Sequence, residues 1–269
     1  MPSLSPTTPT WNAADYAANS AAQQIWAREL IAQLNLSGDE HILDVGCGDG
    51  KVTAELARTV PKGSVTGIDA SPEMIRFARA SFSPGTVSNL EFKMMDARYI
   101  RLARRFDVVF SSSVLHWVAD HPAFLRGASA CLRPGGRLVV SCGGKGNAQD
   151  VFVALRPEMR LKQWCNFFRK LPKPYFFHRP ADYEKWLPRF GFKTHSVKLS
   201  PKDVVYQGRD RFASWFRTTW LPYTQRVPEN MRDDFVAAVT DRYLAKHPPD
   251  AEGRVHVRMV RLEIDAVKI

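Results

Sequence analysis

The sequence predicts an α/β fold: a doubly wound, seven-stranded, mostly parallel sheet with an antiparallel last strand and a helical cap. Three observations predict it. Short apolar runs alternate with helical segments from residue 41 to 142, the pattern of strands joined by crossover helices. The first of these runs ends in a glycine-rich turn that opens a helix. The last two strands are separated by residues 200–253, far more than a hairpin needs, so that stretch must fold as a cap.

The elements follow in order. Met1–Thr10 is rich in Ser, Thr and Pro, lacks the basic-then-apolar pattern of a signal peptide, and is expected to be disordered. Ala22–Leu34 reads as an amphipathic helix with Ile25, Leu30, Ile31 and Leu34 on one side. His41-Ile-Leu-Asp-Val-Gly-Cys-Gly-Asp-Gly50 is a buried strand running into a G-x-G-x-G turn, and Lys51–Thr59 is the helix it opens. Such a junction directs backbone N–H groups and a helix dipole at a ligand. A dinucleotide fingerprint would need a third glycine at position 51, which is Lys51, so the turn is a nucleoside cradle of another type.

Ser64–Asp69 is a second strand, ending in a carboxylate nineteen residues after Gly50, where an acid meets ribose hydroxyls. Ser71 caps the next helix and Pro72 takes its first position. Leu90–Met94 is a third strand, followed by Asp96-Ala97, whose carboxylate suits an adenine amino group or an Asx-turn. Phe106–Ser111 is a fourth strand before Leu115-His116-Trp117, and Leu132–Gly136 is a turn before a fifth strand, Arg137–Cys142. Residues 147–178 are aromatic, basic and proline-punctuated. Pro180–Leu187 is a short helix, Phe192–Leu199 a sixth strand, and residues 208–247 two helices split by Leu221-Pro222. In the last strand, Arg254–Val267, apolar alternation at 255, 257 and 259 slips to 262, 264 and 266, which predicts a β-bulge.

Leu43-Asp-Val-Gly-Cys-Gly-Asp-Gly50, Gly67-Ile-Asp69, Met95-Asp-Ala97, Phe106–Ser111, Leu115-His-Trp117 and Leu132-Arg-Pro-Gly-Gly136 stand in the order found in class I S-adenosylmethionine-dependent methyltransferases, which the chain resembles. The resemblance implies a Rossmann-like methyltransferase fold and S-adenosylmethionine as cofactor. It implies that Asp44 and the Gly46–Gly50 turn hold the methionine part, Asp69 the ribose, and Asp96 and Ala97 the adenine. Trp11-Asn-Ala-Ala-Asp-Tyr16 followed by Gln23 resembles the N-terminal lid helix of the trans-aconitate and juvenile hormone acid methyltransferases, and Asp250–Ile264 resembles the last strand of the trans-aconitate type. The cofactor candidates are therefore Asp44, Gly46, Cys47, Gly48, Asp69, Ala70, Asp96, Ala97 and Ser111, with Tyr16 and Gln23 from the lid. Residues 1–10 form the disordered N-terminus, 11–40 the lid region, and 41–269 the methyltransferase domain with cap insertions at about 147–178 and 200–253.

Charge is uneven. Residues 1–150 carry 15 basic and 14 acidic side chains, and the remainder supplies nearly all of the net +11. A basic second half attracts an anion: a carboxylate, a phosphate or a nucleic acid. No stretch is long and apolar enough to span a membrane. Cys47, Cys131, Cys142 and Cys165 show no metal-like spacing, so no metal is expected and a reducing cytoplasm is the natural location.

His116 and Trp117 are the catalytic candidates, because they follow the fourth strand beside the expected sulfonium. Trp117 can face the cation with its ring, and His116 can serve as base or as hydrogen-bond donor to an anion. The leading expectation is O-methylation of a small, acidic substrate. The alternatives are RNA or tRNA methylation using the basic half, C- or O-methylation of a secondary metabolite with His116 as base, and a non-enzymatic cofactor-binding regulator. No Asn-Pro-Pro-Tyr-like motif follows the fourth strand, which weighs against amino methylation of a base.

Overall fold

The computed structural model describes residues 21–83, 85–103 and 105–269. Along the chain run α1 (Ala21–Ala32), β1 (His41–Val45), α2 (Lys51–Thr59), β2 (Ser64–Asp69), α3 (Pro72–Ser81), β3 (Leu90–Met94), β4 (Phe106–Ser112), α4 (His121–Cys131) and β5 (Leu132–Gly143). Then follow α5 (Gln149–Glu158), α6 (Pro180–Trp186), β6 (Phe192–Tyr206), α7 (Gly208–Thr219), α8 (Leu221–Thr224), α9 (Glu229–Leu244) and β7 (Val255–Lys268). The seven strands form one sheet in the order β3-β2-β1-β4-β5-β7-β6. Pairing is parallel from β3 through β5, and β7 runs antiparallel to β5.

Alternation along the strands builds two cores. Leu43, Val45, Val109, Leu138 and Val140 face one side, packed with Phe124, Leu125 and Ala128 of α4. Ile42, Val65, Val108, Phe110 and Val139 face the other, with Leu30 and Leu34 around α1, Ala54 and Leu56 of α2, and Ile75 of α3. Each fully buried Leu, Ile or Phe contributes about 1.5–3 kcal/mol, so a sheet covered on both faces needs no further device to stay closed. Ser71 caps α3 by accepting from the Met74 N–H at 3.2 Å, with Pro72 behind it.

Four details differ from the expectations. Ile25 is 54 % exposed, and Ala27 takes its place on the buried face of α1. Leu132–Gly136 is not a turn ahead of β5 but an outward loop within it: Phe106 pairs with Leu132 and Val108 already with Arg137. Strand β6 continues seven residues past Leu199, to Tyr206. The buried positions of β7 run 255, 257, 259, 261 and then 262, 264, 266, so the slip falls between Arg261 and Leu262, while the register with β5 from Arg261 to Val267 is unbroken.

Tertiary packing divides the described chain into two compact units, residues 21–145, 175–200 and 261–269 in one, 146–174 and 201–260 in the other. The first holds β1–β5. The second has its own aromatic core, in which Phe152 meets Trp220 at 4.8 Å, Trp164 meets Phe235 at 5.3 Å, and Phe212 stacks on Tyr243 at 4.6 Å. Residues 175–178 belong to the first unit, not with the rest of the 147–178 segment. Among the described residues no helix is long and apolar enough to cross a membrane.

Candidate active site

The glycine turn is built by backbone bonds. Gly46 and Cys47 both donate N–H to the Ile68 carbonyl, at 2.7 and 3.0 Å, and Gly50 donates to Cys47. Gly46, Gly48 and Gly50 all have left-handed φ, 80°, 52° and 84°. At Gly46 the requirement is double, because a Cβ there would lie 2.2 Å from a Val114 methyl. That contact also joins the β1 turn to the turn after β4.

Asp69 ends β2 with one oxygen on the Gly48 N–H at 3.0 Å and the other on the Ser71 N–H at 2.8 Å. Burial pushes its carboxyl above the ordinary range, and these N–H bonds oppose the shift. A carboxylate fixed this way retains acceptor capacity for two vicinal hydroxyls. Asp44 is 2 % exposed and accepts from the Thr53 hydroxyl at 2.7 Å. Burial, with the Asp69 charge added and the Thr53 bond opposing, raises its pKa to about 7. Cys47 is buried, and burial with both carboxylates nearby pushes its thiol far up, so Cys47 can serve a ligand only through its backbone.

Asp96 makes the Asx-turn: it caps the 3-10 turn Ala97–Tyr99 through the Arg98 N–H at 2.8 Å and pairs with the Arg98 guanidinium at 2.6 Å. Burial alone would raise its pKa, yet the bonds to Arg98 hold it below the ordinary range. The Ala97 methyl packs in the core, Ala70 is exposed, and the Ser111 hydroxyl is fully buried and donates to the Val45 carbonyl at 2.8 Å. Ser111 therefore ties β4 to β1. Gln23 is half-buried on the first turn of α1. Tyr16, and with it the Trp11–Tyr16 motif, lies outside the described residues.

The turn Leu115–Trp117 is held from several directions. His116 Nδ1 accepts the Gly143 N–H at 3.2 Å, and the His116 carbonyl accepts the Phe176 N–H at 2.8 Å. Behind the turn, the His121 ring lies 2.8 Å from the Leu115 carbonyl and 2.6 Å from the Tyr183 hydroxyl. Burial, then the charge of Arg261, lowers the His116 pKa to about 3. An imidazole whose Nδ1 accepts an N–H carries its proton on Nε2. His116 is thus a neutral ring that keeps Nε2–H as a donor, with its Nδ1 lone pair engaged by the Gly143 N–H. Trp117 lies 5.6 Å from His116 and edge-on to Tyr175 at 4.7 Å, and Tyr175 stacks on Phe177 at 5.5 Å.

Tyr175, Phe177, His121 and Arg261 are the members of this cluster that the sequence reading did not single out. Only Arg261 had a legible signal, a charge standing at the slip in the β7 alternation.

Comparison with known proteins shows the family and the fold. Residues 42–136 match the family described as a methyltransferase domain. An uncharacterized methyltransferase of Schizosaccharomyces pombe is 34 % identical over 77 % of this chain and 81 % of its own length. The trans-aconitate 2-methyltransferase of Agrobacterium fabrum is 30 % identical over 96 % of this chain and 99 % of its own. In fold, the phosphoethanolamine N-methyltransferase 2 of Haemonchus contortus, solved with S-adenosylmethionine, superposes with a TM-score of 0.60 at 15 % identity, covering 95 % of this chain and 56 % of that one.

Proposed function

The chain belongs to the class I S-adenosylmethionine-dependent methyltransferases, and within them we propose that it methylates a carboxylate oxygen of a small anionic molecule. The cofactor, when bound, supplies a methyl group on a positively charged sulfur, already activated for displacement. The residues fit it: three left-handed glycines leave backbone rather than side chains at the turn, and Asp69 presents a fixed pair of acceptors beside them. Asp69 holds the ribose hydroxyls, Asp44 and the Gly46–Gly48 backbone the methionine part, and the Asp96–Ala97 segment the adenine edge.

The observation that carries the substrate reading is the state of His116. With Nδ1 engaged by Gly143, it orients an oxyanion through Nε2–H and does not take a proton. A carboxylate is ionised at neutral pH and needs no base, whereas an alcohol or a carbon acid does. Protein catalysis is then alignment and exclusion of water, with His116 and Trp117 at the acceptor. Two further facts support an anionic acceptor. The Agrobacterium fabrum relative is named for trans-aconitate. The chain carries a net charge of +11, nearly all of it contributed by residues 151–269. Such a field raises the encounter rate of an anion.

Incubation with methyl-labelled cofactor and a panel of small acids, alcohols and tRNA tests the reading. The expected product is a methyl ester that alkali converts to labelled methanol. An alkali-stable ether or a labelled tRNA would overturn it.

A further inference from the structure

Leu115–Trp117 is a single 3-10 turn, closed by the Trp117 N–H on the Val114 carbonyl at 2.8 Å and the Val118 N–H on the Leu115 carbonyl at 2.9 Å, with no side-chain cap. Hydrogen-bond geometry in so short a 3-10 segment is poor, so its shape depends on contacts from outside. Gly143 and Phe176 hold His116 itself. The contact on Leu115 is made by a side chain, His121. That residue opens α4, and Tyr183 behind it lies in α6; both are fully buried, as is Leu115.

A carbonyl only accepts, so the His121 Nε2 that lies 2.8 Å from the Leu115 oxygen carries the ring proton. Burial, and then the charge of His178, push the His121 pKa down to about 3, so the ring is neutral. Its Nδ1 therefore accepts the Tyr183 O–H at 2.6 Å. The His178 ring stands edge-on to His121 at 4.3 Å, and Trp186 lies 6.2 Å away. The donors thus run one way, from Tyr183 through His121 to Leu115. Keeping these polar groups in the core, beside Phe124 and Cys142, costs free energy that an apolar pair of the same volume would not. What an apolar pair could not do is hold the Leu115 carbonyl, one residue before His116.

We propose that His121 is a positioning residue for methyl transfer: backed by Tyr183, it fixes the Leu115 carbonyl and with it the turn that aims His116 Nε2–H and the Trp117 ring at the acceptor. The proposal rests on the reading of His116 as an orienting donor. His121 acts through the turn and not on the reacting atoms.

The test uses the full chain, wild type against His121→Phe and His121→Gln. The first readout is the ring-nitrogen NMR signature of His116 in the S-adenosylhomocysteine complex, assigned by its absence from His116→Gln. Wild type should show Nε2 protonated and Nδ1 as an unprotonated acceptor. His121→Phe keeps a ring but cannot donate, so the His116 signals should move toward those of an imidazole exchanging between tautomers. The amide of His121→Gln can donate to Leu115, so they should return. The second readout is methyl transfer from S-adenosylmethionine to trans-aconitate. A turn misplaced by about 1 Å predicts kcat about 10- to 100-fold lower in His121→Phe, KM within about threefold, and most of the loss recovered in His121→Gln. S-adenosylhomocysteine affinity should be unchanged. His116 signals that stay at the wild-type values in His121→Phe overturn the proposal and leave the donor reading standing. So does a His121→Gln no better than His121→Phe, because the ring would then serve packing alone. An unchanged kcat beside altered signals overturns both, as does a wild type with the His116 proton on Nδ1. If trans-aconitate is no acceptor, the ring signals decide by the same criteria. If His121→Phe melts too early to measure, Tyr183→Phe carries the test: it removes the hydroxyl that holds Nδ1, so the His116 signals should shift the same way and kcat fall about 2- to 10-fold, and unchanged signals overturn the proposal.

Discussion

The two flanks of the sheet reach the site by different physical means. On the β1–β2 flank, the hydrogen bonds of the glycine turn, Asp44 and Asp69 come from one continuous stretch, Asp44 to Ser71, and most involve backbone. On the β4–β5–β7 flank, side chains converge from four separate places: Trp26, the Ser113–Trp117 turn, Tyr175–Phe177 and Arg261. The first flank can be rigid because turn geometry and helix N-terminus are local. The second depends on the tertiary fold for every group, and it is where substrate chemistry can change without disturbing the cofactor frame.

The sharpest way to break this contrast is Gly46→Ala, which strikes the seam between the flanks. The new methyl would meet Val114 at 2.2 Å with φ at 80°. Overpacking plus left-handed strain predicts a loss of roughly 3–5 kcal/mol, visible in thermal unfolding. Gly46→Ala with Val114→Ala should recover the overpacking share but not the strain. If the single variant melts like wild type, the two turns are not packed as described.

Asp44 comes next. Its folded pKa is raised to about 7 from the 3.8 of the open chain, so the native state holds a proton that the unfolded state has released. A raised value means that the stabilising contribution is complete below about pH 4 and is lost as pH rises through about 7. Asp44→Asn keeps an acceptor for Thr53 and removes the titration. Between pH 4.5 and 7.5 the wild type should lose about 3 kcal/mol relative to Asp44→Asn, measured by denaturant unfolding. Parallel profiles would show that Asp44 is ionised throughout.

Asp69→Ala removes the acceptor shared by Gly48 and Ser71. Cofactor affinity should fall on the order of 100-fold by calorimetry, and an unchanged Kd would end the ribose assignment.

The same contrast explains what was legible in the chain. β1, α2, β2, α3 and β3 follow from local periodicity, caps and glycines, and the structure has them at the expected residues. Asp44, Asp69 and the turn were legible because their chemistry sits within thirty residues of sequence. Tyr175 and Phe177 were not: they lie in an aromatic-rich segment, and nothing local separates a ring that packs on His116 from one that fills the second unit's core. Ile25 was misplaced because apolar spacing marks a helical face without saying which edge of it the sheet covers. For Ser111, the position after an apolar strand does not reveal that its hydroxyl is donated to the Val45 carbonyl. The protonation of His116 was out of reach because it is decided by Gly143, a residue 27 positions away.

His116 is the smallest expected effect and the one that best separates the two flanks. His116→Ala should leave cofactor affinity unchanged, since no cofactor contact is assigned to it, and should lower kcat about 10- to 100-fold through loss of one orienting donor. His116→Gln is the informative partner. Its amide oxygen can accept the Gly143 N–H while its amide nitrogen donates, reproducing the locked tautomer without a titratable ring. A donor role predicts that His116→Gln recovers most of the lost turnover, and that kcat shows no His116 inflection between about pH 5 and 8, because a pKa of about 3 lies below that window. A base role predicts that His116→Gln is as inactive as His116→Ala and that an acid limb appears in the wild-type profile. The β4–β5–β7 flank would then work by proton transfer, and an alcohol would replace the carboxylate as acceptor.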